Sequence, residues 1–461
     1  MLLNWKMNTI KEYIPFYKRN LKIALPIVFS QLGGAVVQLI DTFMVGRLGT
    51  VELAAVSFAS AVFAIGYVFS IGILLGATPI IGQAYVRGEK QTIVELFQNS
   101  LVLATLAAVV IGSLLYLTSF FMDNMGQVDA VVELAIPYFL VLVVSLIPHM
   151  YFFSIKQFLE GLGNTKVAMW ITIIANLINL LFNYLLIFGK YGFPELGVLG
   201  AGVSTLIARA SMPVLYVIWL RLKPEWWSYC KDFRWSLFSW IRLKQLLAMG
   251  LPIAAHILLE VSAFAFSGVM IGWLGAAPLA GHQIANNMSH MAFMVVMGIS
   301  SATTIRVSHQ LGARNIEGLK MAAMASVHLC LLANAIMGTL LIVFRVQIAQ
   351  AFSTDPEVIS VGSQVLVMAG IFQLADGMQA VGAGILRGLT DVKIIMLYAF
   401  IAYICINIPL GYVLAFVCGF GAVGIWAAFI FGLGTAAILF HVRYHKVRKR
   451  IFAELQEQVI L

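Results

Sequence analysis

Apolar residues fill this chain in long blocks separated by short polar breaks. A helix crosses the hydrocarbon of a bilayer with about 20 residues at a rise of about 1.5 Å each. Blocks of that length fall at about 22–46, 53–78, 96–120, 131–155, 166–188 and 197–220. After a polar, Trp-rich stretch at 221–244 they resume at about 246–274, 279–305, 319–344, 358–386, 393–416 and 420–441. The pattern predicts an all-α polytopic membrane protein with twelve transmembrane helices. Its expected parts are an N-terminal lobe at 1–220, a linker at 221–244 and a C-terminal lobe at 245–461.

The two lobes are copies of one unit. LPIVFSQLGGAVVQLIDTFMVGRLG at Leu25–Gly49 returns as LPIAAHILLEVSAFAFSGVMIGWLG at Leu251–Gly275, with Pro26 on Pro252 and Gly46 on Gly272 at an offset of 226. EGLGNTK at Glu160–Lys166 aligns with RGLTDVK at Arg387–Lys393 at an offset of 227, and Asn179 and Tyr184 align with Asn407 and Tyr412 at 228. An even number of helices per copy makes both copies enter the membrane from the same side. They are parallel, pseudo-symmetric six-helix repeats about an axis along the membrane normal, with a central cleft expected between them.

Composition and charge refine this picture. The 461 residues are 61% hydrophobic and 11% charged, against about 25% charged in soluble domains. A net charge of +9 would suggest nucleic acid in a soluble chain. Here 24 of the 29 Lys and Arg fall in the terminal segments, the linker and the loops on one side of the predicted spans. The other side keeps Arg47, Lys190 and Arg345, and only Lys156 and Arg209 fall within spans. The positive-inside rule then places both termini in the cytoplasm of a multi-pass inner-membrane protein, with lipid and not nucleic acid as its surroundings. Five cations precede the first apolar run, which has no small-residue cleavage site, so it reads as a retained helix. Cys230, Cys330, Cys405 and Cys418 have no metal or redox spacing.

Three of the 20 acids lie well inside spans: Asp41, Glu260 and Asp376. A carboxylate at mid-bilayer costs about 2.5–3.5 kcal/mol on insertion scales, which points to a partner, an ion or a proton at each. They do not fall on equivalent positions. Asp41 aligns with Ser267, Glu260 with Gly34 and Asp376 with about His149. A symmetric scaffold with asymmetric acids favours a functional role. Helical spacing gives them companions: His256, Phe264 and Ser267 beside Glu260, and Gln373 and Gln379 beside Asp376. His282, Asn286, Ser289 or His290, and Phe293 make a further stripe, as do Thr172, Asn176, Asn179 and Asn183. Such polar groups either bond neighbouring helices, at about 0.6 kcal/mol each, or hold water or a hard cation. The histidines lack zinc-ligand spacing. Twenty Met and 31 Phe read as packing or lipid-facing residues, a few of which can line an adaptable cleft. No nucleotide-binding or hydrolase motif occurs. The chain therefore reads as a transporter and not an enzyme, driven by an ion gradient, with no cofactor beyond its coupling ion.

QLIDTFMVGRLG with Asp41, GQAYVRG, EGLGNTK, HILLEVSAFAFSGVMIGWLG with Glu260, AGHQIANNMS, RVSHQLG and QLADGMQAVGAGILRG with Asp376 run through the whole chain. In these pieces it resembles the multidrug and toxic compound extrusion (MATE) transporters, and among them the NorM-like branch. The resemblance implies antiport of Na⁺ or H⁺ against cationic or amphipathic drugs and toxic organic compounds, by a monomer. It implies a C-terminal cation site at Glu260 and Asp376; the oxygens of Asn286, Ser267 and Gln379 nearby would complete a shell for Na⁺, which is why Na⁺ is favoured. Asp41, Asn179, Asn183 and Thr205 would match the polar site of the N-terminal lobe. An aromatic cation-π partner that is tyrosine in some relatives matches Phe293 here, which keeps the ring face, about 0.5–2 kcal/mol, and lacks the hydroxyl. The alternative is a flippase for lipid-linked oligosaccharide, which needs a basic cavity for pyrophosphate. A membrane-bound enzyme or proton-pumping subunit would need cofactor ligands that the chain does not offer.

Overall fold

A computed structural model describes residues 10–231, 234 and 237–460, with side chains through Glu454. Lys6 of the basic N-terminus and positions 232, 233, 235 and 236 of the expected linker lie outside the described residues. Among the described residues twelve helices are long and apolar enough to cross a membrane. The first six are α1 Lys11–Gly46, α2 Thr50–Val86, α3 Lys90–Ser119, α4 Asp129–Gly161, α5 Lys166–Ile187 and α6 Gly197–Arg221. The second six are α7 Trp240–Gly272, α8 Ala276–Gly312, α9 Ile316–Val343, α10 Pro356–Gly388, α11 Lys393–Val417 and α12 Gly421–Glu454. The chain is an all-α, multi-pass membrane protein.

Several helices run past the apolar blocks. α1 takes in Lys11, Lys18, Arg19 and Lys22, α2 continues through a turn at Gly76 to Val86, and α12 carries the basic tail. Hydropathy marks the hydrocarbon layer. The i→i−4 hydrogen bonds that make a helix continue beyond it wherever a polar face can be solvated.

The chain forms two compact units, Phe29–Leu258 and Met1–Val28 with Leu259–Leu461. Both boundaries fall inside helices, α1 and α7, and not in the 221–244 stretch. The early part of α1 packs with α8 and α9: Asn20 donates to the Ala322 carbonyl at 3.1 Å and to Ser326 at 2.9 Å. The early part of α7 packs with α2 in the other unit. There a methyl on Gly250 would stand 2.0 Å from the Ile73 carbonyl oxygen, and one on Gly72 2.4 Å from the Ala254 Cα. Arg242 pairs with Glu95 of α3 at 3.1 Å. Missing side chains let the two backbones touch, the usual way helices pack tightly in membranes.

The repeat is visible in its helix ends. After α4, Gly163 is left-handed (φ 85°) and the Asn164 amide returns to the Leu159 carbonyl at 2.8 Å. After α10, Thr390 is left-handed (φ 60°) and the Asp391 amide returns to Leu386 at 3.0 Å. Both are Schellman-type caps. The second copy builds its cap with a β-branched residue in a conformation that suits glycine.

α8 and α10 cross closely. Ser300 and Thr304 of α8 donate to the Ala380 and Gly384 carbonyls at 2.6 and 3.0 Å. A methyl on Gly384 would stand 2.7 Å from the Ser300 carbonyl oxygen. α11 departs from α geometry, with π-helical turns at Phe400–Asn407 and Val413–Val417.

Candidate functional site

In the unit Phe29–Leu258, α1 presents Asp41, half-buried, to α5. Asn179 and Asn183 lie one turn apart on α5 and share a face. Asn183 donates to Asp41 Oδ1 at 2.5 Å. The Asn179 amide, with its nitrogen toward the carboxylate, donates to Oδ1 at 3.0 Å and Oδ2 at 3.2 Å. Two amides thus hold the acid without a counter-charge. The Thr205 hydroxyl donates to the Ala201 carbonyl one turn back at 3.0 Å. The same unit explains Arg209. Its Nη1 donates to Ser145 at 2.8 Å, and its guanidinium carbon lies 4.9 and 5.3 Å from the Tyr67 and Phe63 ring centroids. The Tyr67 hydroxyl meets His149 Nε2 at 2.9 Å. A hydroxyl and two aromatic faces, not an acid, hold this mid-span cation. Lys156, the other, pairs with Glu160 at 3.8 Å.

In the second unit α7 brings Glu260 beside α10. Glu260, Asp376 and Gln379 are 9%, 2% and 1% exposed. Gln379 Nε2 donates to Glu260 Oε1 at 2.8 Å and is within hydrogen-bonding reach of the Asp376 carboxylate. One amide therefore links two buried acids. Aromatic rings wall the group: Phe264 stacks on Phe429 with centroids 4.4 Å apart, and Phe372 meets both edge-on. His282 accepts from Trp426 Nε1 at 3.1 Å. Ser267 Oγ, Gln373 Oε1 and Gln379 Oε1 are buried and make no hydrogen bond among the described residues. Each sits on the same helix as one of the two carboxylates and offers an oxygen of the kind hard cations take. Asn286 and Phe293 are half-buried on α8, and among the described residues no hydrogen bond joins Asn286 to the carboxylates.

Two members of this group escaped the sequence reading. Arg387 was expected as a loop cation. Its side chain is instead 6% exposed at the end of α10, within electrostatic range of Glu260. Tyr403, buried in the π-helical part of α11, lies within electrostatic range of Glu260, Asp376 and Arg387. The available signal was spacing: Arg387 follows Asp376 by eleven residues, three helical turns on one face.

Comparison with known proteins agrees with this architecture. The family model MatE matches residues 26–185 and again 252–413, one match per repeat. The chain is 31% identical over 446 residues to the multidrug resistance protein MdtK of Photorhabdus laumondii subsp. laumondii, covering 96% of this chain and 98% of that one. It is also 31% identical over 442 residues to a protein named "Probable multidrug resistance protein NorM" of Rhizobium meliloti, covering 95% of each. A solved structure described as the outward-facing conformation of a multidrug resistance MATE family transporter shares the fold. Its TM-score is 0.86 at 21% identity, covering 95% of this chain and 96% of that one. With both repeats matched and relatives aligned from end to end, the chain belongs to the MatE family.

Proposed function

We propose that this protein is a cation-coupled antiporter that exports cationic and amphipathic organic compounds in exchange for Na⁺ or H⁺. The observation that carries the reading is the buried Glu260–Gln379–Asp376 group. Two carboxylates in a poor dielectric cannot both stay ionised without a cation or proton nearby. A coupling ion relieves their repulsion and favours whichever conformation holds it better, and a drug favouring another conformation is released. The relatives named as multidrug resistance proteins supply the substrate class. The free oxygens of Ser267, Gln373 and Gln379 favour Na⁺ over H⁺. Asp41 with its two asparagines serves as a second cation- or substrate-responsive acid. The working form is a monomer in the inner membrane with both termini cytoplasmic.

The flippase alternative required free cations for a pyrophosphate. Lys156 is paired with Glu160 and Arg209 is bound to Ser145, so the two mid-span cations named from the sequence are both engaged. The test is ethidium transport in everted vesicles, with Na⁺ and H⁺ gradients collapsed separately. Loss with either gradient supports antiport and names the ion. Transport indifferent to both overturns the reading.

A further inference from the structure

The stretch between α6 and α7 folds against the start of α3 and leaves a partly open cavity of about 540 Å³ beside it. Lys90 and Gln91 of α3 line it, as do Ser228, Lys231 and Arg234 of the linker. Three cations converge there, and among the described residues no acid lines the cavity. Neighbouring cations are neutralised locally: Arg87 pairs with Glu89 at 2.8 Å and Arg242 with Glu95 at 3.1 Å. Lys90, Lys231 and Arg234 make no ion pair among the described residues. Lys90 Nζ lies instead 5.3 Å from the Tyr229 ring centroid. The wall that carries these charges is pinned. Asn99 of α3, fully buried, donates to the Leu237 carbonyl at 3.2 Å and accepts from the Ser239 amide at 3.1 Å. Leu237 itself lines the cavity. The linker is thus fastened to α3 at the place where like charges repel, which an anion in the cavity relieves.

The surroundings say which anion. Directly after Leu237, the side chains of Phe238, Trp240 and Ile241 are 44%, 60% and 78% exposed, and Leu222 at the end of α6 is 71% exposed. Apolar and Trp side chains at the ends of spanning helices sit at headgroup level. The basic cavity therefore opens at the depth of lipid phosphates, with bare apolar surface close by for acyl chains. We infer that this cavity binds the phosphate of an anionic phospholipid from the leaflet that the linker borders, the inner leaflet in the orientation proposed above. The Arg234 guanidinium can hold two phosphate oxygens at once, and Lys90 and Lys231 add point charges. A zwitterionic lipid brings its own ammonium into this cluster of cations and gains less. The site shares no residue with the groups around Asp41, Glu260 and Asp376, so the inference goes beyond the antiport reading and does not rest on it.

The test titrates the full-length protein, purified in detergent, with dioleoylphosphatidylglycerol or dioleoylphosphatidylcholine and counts bound lipid by native mass spectrometry. The parent should hold one phosphatidylglycerol on the order of tenfold more tightly than phosphatidylcholine. Lys90→Gln, Lys231→Gln and Arg234→Gln should each weaken phosphatidylglycerol binding about fivefold and leave phosphatidylcholine binding unchanged. A control protein carrying Arg221→Gln, Lys223→Gln and Lys244→Gln loses the same charge at exposed positions that do not line the cavity, and it should keep the tight lipid. Equal weakening by this control and by the triple cavity variant makes the effect one of diffuse surface charge and overturns the site. A parent without preference for phosphatidylglycerol overturns it as well. Displacement of the lipid by inorganic phosphate at equal concentration makes the occupant a free phosphate and overturns the lipid assignment. Melting curves check that each variant is folded, and if the triple cavity variant does not fold, the three single variants decide by the same criteria.

Discussion

Asn183 donates a 2.5 Å hydrogen bond to Asp41, and Asn179 supplies a second amide to the same carboxylate. Asparagine in place of Asp41 is nearly isosteric and keeps the packing, but cannot carry the charge. Asp41→Asn should insert normally and lose drug resistance. Asn183→Ala, which leaves a half-buried acid short of one donor, should cost about 1–3 kcal/mol of stability. Resistance assays beside thermal unfolding of the purified proteins separate the two effects, and full resistance from Asp41→Asn would make the residue structural.

Glu260→Gln and Asp376→Asn should each uncouple efflux from the ion gradient while leaving the protein folded. The readout is gradient-driven efflux beside ethidium binding in detergent. If ion-driven efflux is intact in both, coupling resides at Asp41.

Thr390 holds a left-handed backbone where its counterpart is Gly163, and its side chain is exposed. Thr390→Gly should therefore raise stability, by about 1 kcal/mol. Gly250→Ala should do the reverse, because its methyl would stand 2.0 Å from the Ile73 carbonyl oxygen. The cost should reach or exceed the about 1–3 kcal/mol usual for overpacking. Melting curves followed by size-exclusion fluorescence measure both.

Cys230 lies outside the spans, and burial pushes its thiol up to about 12. It stays protonated near neutral pH, and the thiol is a poor nucleophile. Maleimide should label it far more slowly than a cysteine placed at exposed Lys231 in a Cys230→Ser background. That introduced cysteine should react with an impermeant reagent in everted vesicles and not in intact cells. The opposite pattern would reverse the topology.

Much of this was legible in the chain, for identifiable reasons. Twelve spans follow from apolar length alone, because a bilayer tolerates few alternatives. Asp41, Glu260 and Asp376 stood out since a charge in an apolar run is costly. Arg387 was hidden because loop cations on one face of the membrane are expected, and nothing in its immediate sequence reveals a buried guanidinium. Arg209 was visible but unexplained, as its partners Ser145, Phe63 and Tyr67 come from distant helices. Asn286 and Phe293 share a helical stripe with His282, yet stripe membership does not decide which residue reaches the acids. The division of the chain within α1 and α7 was illegible for a similar reason. Repeat boundaries record ancestry, whereas contacts record where each long helix happens to lie.

The π-helical turns of α11 carry one more residue per stretch than an α-helix needs. That surplus makes the segment tolerant of length change in evolution. Loss of a single residue between Phe400 and Asn407 would return the backbone to plain α geometry, at the expense of rotating Tyr403 relative to Asn407. A lineage can thus re-aim the buried Tyr403 by a one-codon deletion, without breaking the helix.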